Sequence, residues 1–365
     1  MEILTSNFLP LNFPNKTFVS RWEELFQESQ FLRIGIGYVS NDSLLYLRKL
    51  IEFNQPKHLQ LCLGMAFFEG MSSSQYQAAA DLDKFLTSNQ LGEIKVARTF
   101  PFHGKVQSFI GNKLPDTFLV GSSNLSNIIP LKGIGRRNYE VDIEISSGEV
   151  ARKIDHLMTT LFKNGSVSFE SVASQIVVKE NPNTLLSSRT DVKLIGLDSL
   201  NKVIENLTNN SFEIPLKDSP KSNLNVYFGE GRVSQQGFVK PRHWYEVEII
   251  VDLAVQRSSK NYPANKDFLV YTDDGLRFVM RSSGDYGKNL RSKEDLTILG
   301  RWIKGRMEAS EKLSSGQLVT NEILLAYGRT TITFTQTKLS EIDETTGKRL
   351  KVWYINFRSN KRKGA

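Results

Sequence analysis

A histidine and a lysine two residues apart, His103 and Lys105, begin an apolar segment ending at Ile110; a second apolar segment, Thr117–Val120, leads into Gly121, Ser122, Ser123 and Asn124. On an extended chain, residues i and i+2 share a face, so the imidazole and the ammonium fall side by side, and a paired second strand brings the hydroxyls and the amide beside them. These groups suit chemistry at phosphorus. A neutral imidazole can attack a phosphodiester while an ammonium, a hydroxyl and an amide hold the non-bridging oxygens as negative charge builds up. Such a scheme needs no metal, and no carboxylate cluster of the two-metal nuclease type surrounds His103.

Strands must carry these groups, and the first half of the chain reads as an α/β unit. Strand character is expected at Phe31–Val39, His58–Ala66, Glu93–Phe100, Lys105–Ile110, Thr117–Val120 and Tyr139–Ile145. Helices are expected after the Ser40-Asn41-Asp42 cap signal, over about Ser74 to Ser88, and from Ser147 to about Phe162. Strands alternating with helices favour a mixed or mostly parallel sheet covered on both faces. From about Val172 to Asn223, turn-forming residues punctuate short apolar pieces, which places a domain boundary near residues 175–190 and divides the chain into 1–180 and 181–365.

The second half reads as mostly β. Strands are expected at Ser211–Leu216, Asn225–Phe228, Trp244–Leu253, Asp267–Tyr271, Leu276–Met280, Glu322–Thr337 and Lys351–Phe357, with a hairpin at Asp274-Gly275. A helix is expected from the Ser292 cap through Leu296, Leu299, Trp302 and Ile303. A compact barrel or curled sheet with an inserted helix follows.

Composition narrows the function classes. The 365 residues suffice for about two domains. The net charge of +8 is unevenly placed: residues 1–175 hold 17 Lys+Arg against 17 Asp+Glu, and residues 176–365 hold 30 against 22. A neutral half joined to a basic half suggests that polyanion affinity resides in a separate module. The single cysteine, Cys62, lies in an apolar run, which excludes an internal disulfide and a cysteine-rich zinc site. The N-terminus has no basic segment followed by an apolar run, and no stretch approaches the roughly 18 apolar residues of a membrane span. The expectation is a soluble cytoplasmic protein with no membrane partner.

Basic residues cluster where the second sheet should turn: Lys240, Arg242 and His243 before Trp244, and a polar loop from Arg281 through Lys288, Asn289 and Arg291 to Ser292. Arginine, lysine and asparagine contact phosphates and major-groove base edges. Charges at Arg301, Lys304 and Arg306 read as a solvated helix surface, and Lys361-Arg362-Lys363 as an unspecific tail. His58 and His156 read as structural histidines, unlike His103 with its neighbours.

The spacing H-x-K followed by G-S-x-N resembles the phospholipase D superfamily, whose members cleave or transfer phosphodiesters through a histidine nucleophile. The resemblance implies that His103 forms a covalent phosphohistidine, that Lys105 and Asn124 bind the phosphate, and that Ser122 or Ser123 adds a hydrogen bond. Where the superfamily pattern carries an aspartate after the lysine, this chain has Ile110, and the segment before Gly121 is lengthened by the turn Gly111–Asp116. One branch replaces that acid with a glutamate in an N-x-E strand. Asn138-Tyr139-Glu140 supplies it, and Glu140 becomes the acid that orients a histidine.

That branch is similar to the metal-independent restriction endonucleases of the BfiI and NgoFVII type, in which a phospholipase-D-like nuclease domain precedes a DNA-recognition domain resembling the plant B3 fold. Ser283–Ser292 and Gly300–Arg306 carry the resemblance through the second half. It implies a B3-like pseudobarrel whose two arms enter the major groove, with Arg232, Lys240 and Arg242 in or near one and Lys288, Asn289 and Arg291 in the other. Double-stranded DNA is the implied substrate, hydrolysis needs no cofactor, and the implied partners include a cognate DNA methyltransferase. Some members depend on a separate ATPase or helicase subunit, through which ATP would act.

One H-x-K motif per chain is half of what double displacement at phosphorus needs, because nucleophile and general acid stand on opposite sides. A homodimer through the first domain is therefore expected. Two other function classes compete. A lipid phosphodiesterase could use the same histidine and lysine but should show a membrane-binding helix or apolar lid; a non-catalytic DNA-binding regulator should have a degenerate motif.

Overall fold

The computed structural model describes residues 1–8, 11–13, 16–54, 58–111, 116–130, 138–179, 186, 192–235, 237–259 and 261–360. The expected 180/181 boundary, most of the turn after Gly111 and the basic tail lie outside them. The chain forms two compact units, the first from Met1–Pro130, Asn138–Pro182 and Gly231–Pro241, the second chiefly from Asn183–Glu230 and Arg242–Ala365.

An eight-stranded sheet organises the first unit, in the order Glu2–Thr5, Val141–Ile145, Thr117–Gly121, Lys105–Ile110, Phe31–Ile36, His58–Leu63, Gly92–Ala97, Ser166–Ser168. Phe31–Ile36, His58–Leu63 and Gly92–Ala97 run parallel, and every other pairing is antiparallel, so the sheet is mixed rather than mostly parallel. Leu32, Ile34 and Ile36, and with them Leu59, Leu61 and Ile94, are removed from solvent, as inner strands of a covered sheet require. Helix Asn41–Phe53 starts where Ser40 and Ser43 form a reciprocal capping box, and Ser73–Ser88 starts at a second box made by Ser72 and Gln75. The expected third helix, Gly148–Thr160, passes into a π turn at Leu161–Gly165. The sequence reading missed strand Glu2–Thr5, helix Phe18–Glu28 and strand Ser166–Ser168.

A hairpin from far along the chain completes this unit. Arg232–Val233 pairs with Val239–Lys240, and Asn54 at the end of helix Asn41–Phe53 clamps it: Asn54 Nδ2 donates to Val239 O at 2.7 Å and Val239 N donates to Asn54 Oδ1 at 2.6 Å. Phe238 is buried edge-on against Phe26, and Lys240 Nζ lies 2.8 Å from Glu23 Oε1.

The second unit is a half-barrel sheet in the order Leu207–Pro215, Thr331–Ile342, Arg349–Asn356, Asp267–Thr272, Leu276–Ser283, Asn289–Ser292, Ile249–Ile250, with Lys193–Leu194 against Leu276–Ser283. The Asp-Gly hairpin forms as expected: Gly275 takes a left-handed φ of 84° and its N–H donates to Thr272 O. Trp244, Trp302, Trp353, Phe268 and Phe334 fill the core.

Four local expectations are corrected. Asn225–Phe228 is part of a 3-10 segment, because the Asn225 side chain bonds backbone groups at Val319 and favours a turn over a ladder. Trp244–Leu253 keeps only the short strand Ile249–Ile250 before helix Leu253–Ser258. The stretch from Glu322 begins as helix Asn321–Tyr327, capped by Thr320 and stopped by left-handed Gly328, before strand Thr331–Ile342. The expected polar loop ends in a strand, Asn289–Ser292, and the next helix starts later, at Thr297, where Asp295 Oδ1 accepts from Thr297 N.

That helix is no solvated surface at its cations. Lys304 is fully buried, with its Nζ donating to Trp244 O at 2.5 Å and lying 3.8 Å from the Trp244 ring centre. Arg301 stacks on Tyr245, and Arg306 makes two bonds to the buried carboxylate of Asp273.

Candidate active site

Antiparallel pairing gathers the expected catalytic residues at one edge of the first sheet. Val106 faces Val120 and Gly121 faces Asp142, so the start of Lys105–Ile110, the end of Thr117–Gly121 and the start of Val141–Ile145 lie at the same end. Ile36 faces Lys105, which brings the carboxyl ends of the three parallel strands to that end as well. Ligands of open α/β sheets bind outside those carboxyl ends.

His103 stands two residues before its strand and is exposed. Its ring meets Tyr38 edge-on at 5.2 Å, and the Tyr38 hydroxyl donates to Glu69 at 2.8 Å. Among the described residues the ring nitrogens of His103 have no hydrogen-bond partner. Lys105 is half-buried and its Nζ turns back to His103 O at 3.2 Å, so the ammonium points toward the histidine end of the strand. Two glycines let the histidine segment approach the sheet: a Cβ on Gly64 would sit 1.8 Å from Phe102 O, and one on Gly37 would sit 3.0 Å from His103 Cδ2.

The two serines divide their roles. Ser123 is buried, its hydroxyl donating to Asp142 Oδ2 at 2.5 Å and its N–H to Asp142 Oδ1 at 3.2 Å. Burial pushes the Asp142 carboxyl above the usual carboxylate range, and the Ser123 bonds pull it back. Ser122 is exposed and donates to the buried Glu140 carboxylate, while accepting from Val141 N at 3.0 Å. The Glu140 backbone is fixed by Ser6, with Glu140 N donating to Ser6 Oγ at 2.9 Å and Ser6 N to Glu140 O at 3.1 Å. Asn124 is half-buried, and its Oδ1 is shielded without a hydrogen-bond partner among the described residues. Among the described residues no group of three or more His, Cys, Asp and Glu side chains is placed to hold a metal ion. The arrangement offers an unengaged imidazole, a directed ammonium, a hydroxyl anchored by a carboxylate and an amide with free hydrogen-bonding capacity.

Sequence reasoning missed Tyr38 and the Ser123–Asp142 pair. For Asp142 a signal existed: it lies two residues beyond Glu140 in Asn138-Tyr139-Glu140-Val141-Asp142, at the spacing that puts two strand residues on one face.

The expected DNA-contacting residues fall in different places. Arg232 and Lys240 lie on the hairpin of the first unit, Arg232 exposed and Lys240 paired with Glu23. Arg242 belongs to the second unit and bonds Glu246, which is buried, at 2.8 and 2.9 Å. Lys288 pairs with Asp285, and Asn289 and Arg291 lie on the strand opposite Ser283 and Arg281.

A mixed sheet with these groups on one edge, followed by a half-barrel β unit, defines a phospholipase-D-like domain joined to a B3-like one. Residues 15–173 match the NgoFVII restriction endonuclease N-terminal PLD domain, and residues 202–338 match the NgoFVII C-terminal B3-like DNA-binding domain. The two matches span most of the chain, which belongs to the NgoFVII restriction endonuclease family. No curated protein matches. Among solved structures, the chain is similar to polyphosphate kinase from Porphyromonas gingivalis, at 10% identity and a TM-score of 0.28, over 45% of this chain and 24% of that one. It is also similar to phosphatidylserine synthase of Haemophilus influenzae Rd KW20, at 12% identity and a TM-score of 0.30, over 46% and 39%. The chain therefore spans well under half the length of either. No helix among the described residues is long and apolar enough to cross a membrane.

Proposed function

We propose that this chain is a site-specific deoxyribonuclease that hydrolyses DNA phosphodiesters through His103, without a catalytic metal. The observation that carries the reading is the sheet edge itself, where an exposed His103 ring, without a hydrogen-bond partner among the described residues, shares one end of the sheet with Lys105, Ser122 and Asn124. His103 attacks phosphorus and the P–O bond to the leaving oxygen breaks, giving a phosphohistidine. Lys105 and Asn124 hold the non-bridging oxygens, whose charge grows in the transition state. The leaving oxygen takes its proton from His103 of a second copy, which then accepts a proton from the water that hydrolyses the phosphohistidine. Glu140, held by Ser122, is the acid that orients a histidine. The B3-like unit selects the sequence.

The test is incubation of the full chain with genomic DNA in EDTA, with and without ATP and a companion ATPase, followed by end sequencing. Discrete ends recurring at a fixed distance from one short sequence are expected, together with an acid-labile phosphoenzyme on His103. Activity lost in EDTA and restored by magnesium alone would overturn the histidine mechanism. Ends scattered without regard to sequence would overturn site specificity.

A further inference from the structure

We propose that the second unit holds a site for the DNA sugar-phosphate backbone in a cleft at one end of its sheet, formed by residues outside those assigned above to DNA contact. The proposal rests on the reading of this chain as a DNA-cleaving enzyme. The cleft has a volume of about 790 Å³, and its charged lining is Lys266, Arg281, Lys348, Arg349 and Lys351 against the single acid Asp267. Arg281 and Asp267 neutralise each other through bonds of 2.5 and 2.9 Å. Lys266, Lys348, Arg349 and Lys351 are exposed and have no acidic partner among the described residues.

The local sequence explains why the positive charge collects there. Along strand Arg349–Asn356, Arg349 and Lys351 alternate with buried Leu350 and Val352, so both cations lie on one face, roughly 6.6 Å apart at strand spacing. The turn that precedes them contains two acids, both engaged elsewhere: Asp343 Oδ2 lies 3.4 Å from Lys293, and Glu344 lies 2.6 Å from Lys193. Four like charges around one concavity repel each other and serve no packing purpose; they suit a polyanion. Gln336 adds a neutral donor. Asn210 and Asn261 both donate to its Oε1, at 2.9 and 3.0 Å, which leaves Nε2 without a partner among the described residues.

The cleft is continuous with the loop already expected to touch DNA. Tyr262, in its wall, donates to Gly287 O at 2.8 Å, and Ser283, also in its wall, pairs with Asn289. A duplex contacted by Lys288 and Asn289 would therefore lay a backbone strand across Lys266, Lys348, Arg349 and Lys351. Four cations over a cleft of this size exceed what a single phosphate group engages, which favours a polymer.

The test compares the full wild-type chain with a Lys348→Gln, Arg349→Gln, Lys351→Gln triple variant and a Lys266→Gln single variant, all checked for unchanged melting. Affinity for a duplex carrying the recognition sequence and for an unrelated duplex is measured across a salt series. Each lost phosphate contact should flatten the slope of log K against log salt by about 0.9, so the triple variant should lose about 2 to 3 units and the single variant about one. Both duplexes should weaken alike. An unchanged slope in variants that still bind, or a changed base preference, overturns the cleft as a backbone site. Displacement of DNA by ATP under conditions where salt of equal ionic strength does not displace it would mark a nucleotide site and also overturn it. A wild-type chain that binds no DNA at any salt overturns the underlying reading and the cleft with it.

Discussion

Replacing Lys304 with methionine tests the packing of the second unit through its response to pH. Burial pushes the Lys304 ammonium down from 10.5 to about 7, against the charges of Glu308 and Glu246, which favour the protonated form. Between those two values the unfolded chain binds a proton that the folded chain does not, so folding stability rises with pH from about 7 toward the unfolded value. The slope reaches about 1.4 kcal/mol per pH unit, and below about pH 7 the folded state carries the full cost of the buried charge, on the order of 5 kcal/mol. Methionine keeps most of the side-chain volume and removes the titration, losing the bond to Trp244 O, worth about 1 kcal/mol, and the contact of the ammonium with the Trp244 ring. Urea unfolding followed by tryptophan fluorescence suits the assay, because Trp244, Trp302 and Trp353 are all in this unit. From about pH 7 to 9.5, wild type should gain about 3 kcal/mol relative to Lys304→Met. Parallel pH profiles for the two proteins would refute the burial argument.

The remaining predictions address the site and the hairpin. His103→Ala should reduce cleavage by about a thousandfold or more while leaving DNA affinity within a few fold, measured by single-turnover cleavage beside a binding assay; near-wild-type cutting would remove His103 as nucleophile. Asn124→Ala should lower kcat by about a hundredfold with little change in KM, since its amide acts as charge builds up, and an effect confined to KM would assign it to ground-state binding instead. Phe238→Ala should destabilise the first unit by about 3–5 kcal/mol, read from the fluorescence of Trp22, which stacks on Phe26, while the transition of the other tryptophans stays in place. A shift confined to the second transition would contradict the placement of the hairpin.

The candidate edge was legible in the sequence because its information is local: H-x-K and G-S-x-N each occupy a few consecutive residues, and a single antiparallel pairing brings them together. Strand periodicity likewise marked Phe31–Ile36 and His58–Leu63. What stayed hidden depends on distant parts of the chain. Lys304 reads as a surface lysine by type, although Gly300, Ile303 and Met307 place it on the buried stripe of its helix, and only the Trp244 carbonyl and ring make that position tenable. Helix Asn321–Tyr327 looked like strand from its apolar residues, while Thr320 and Gly328, a cap and a left-handed stop, carried the better signal. Tyr38 gave no local sign, since its meaning comes from His103 at the end of the neighbouring strand, far away in sequence.

The hairpin on the first unit has a practical consequence for module exchange. A fragment ending near residue 180 would omit residues 231–241, and with them the Phe238 ring that packs on Phe26 and the Val239 backbone that Asn54 clamps. Residues that look like a recognition arm by position would then be carried off with the wrong piece. A chimera that gives this enzyme a new target sequence should keep residues 231–241 from the donor of the first unit and replace the second unit as separate segments on either side of them. In evolutionary terms, this loop ties the two modules together in inheritance, so a change of specificity through the second unit would have to preserve a piece of the first.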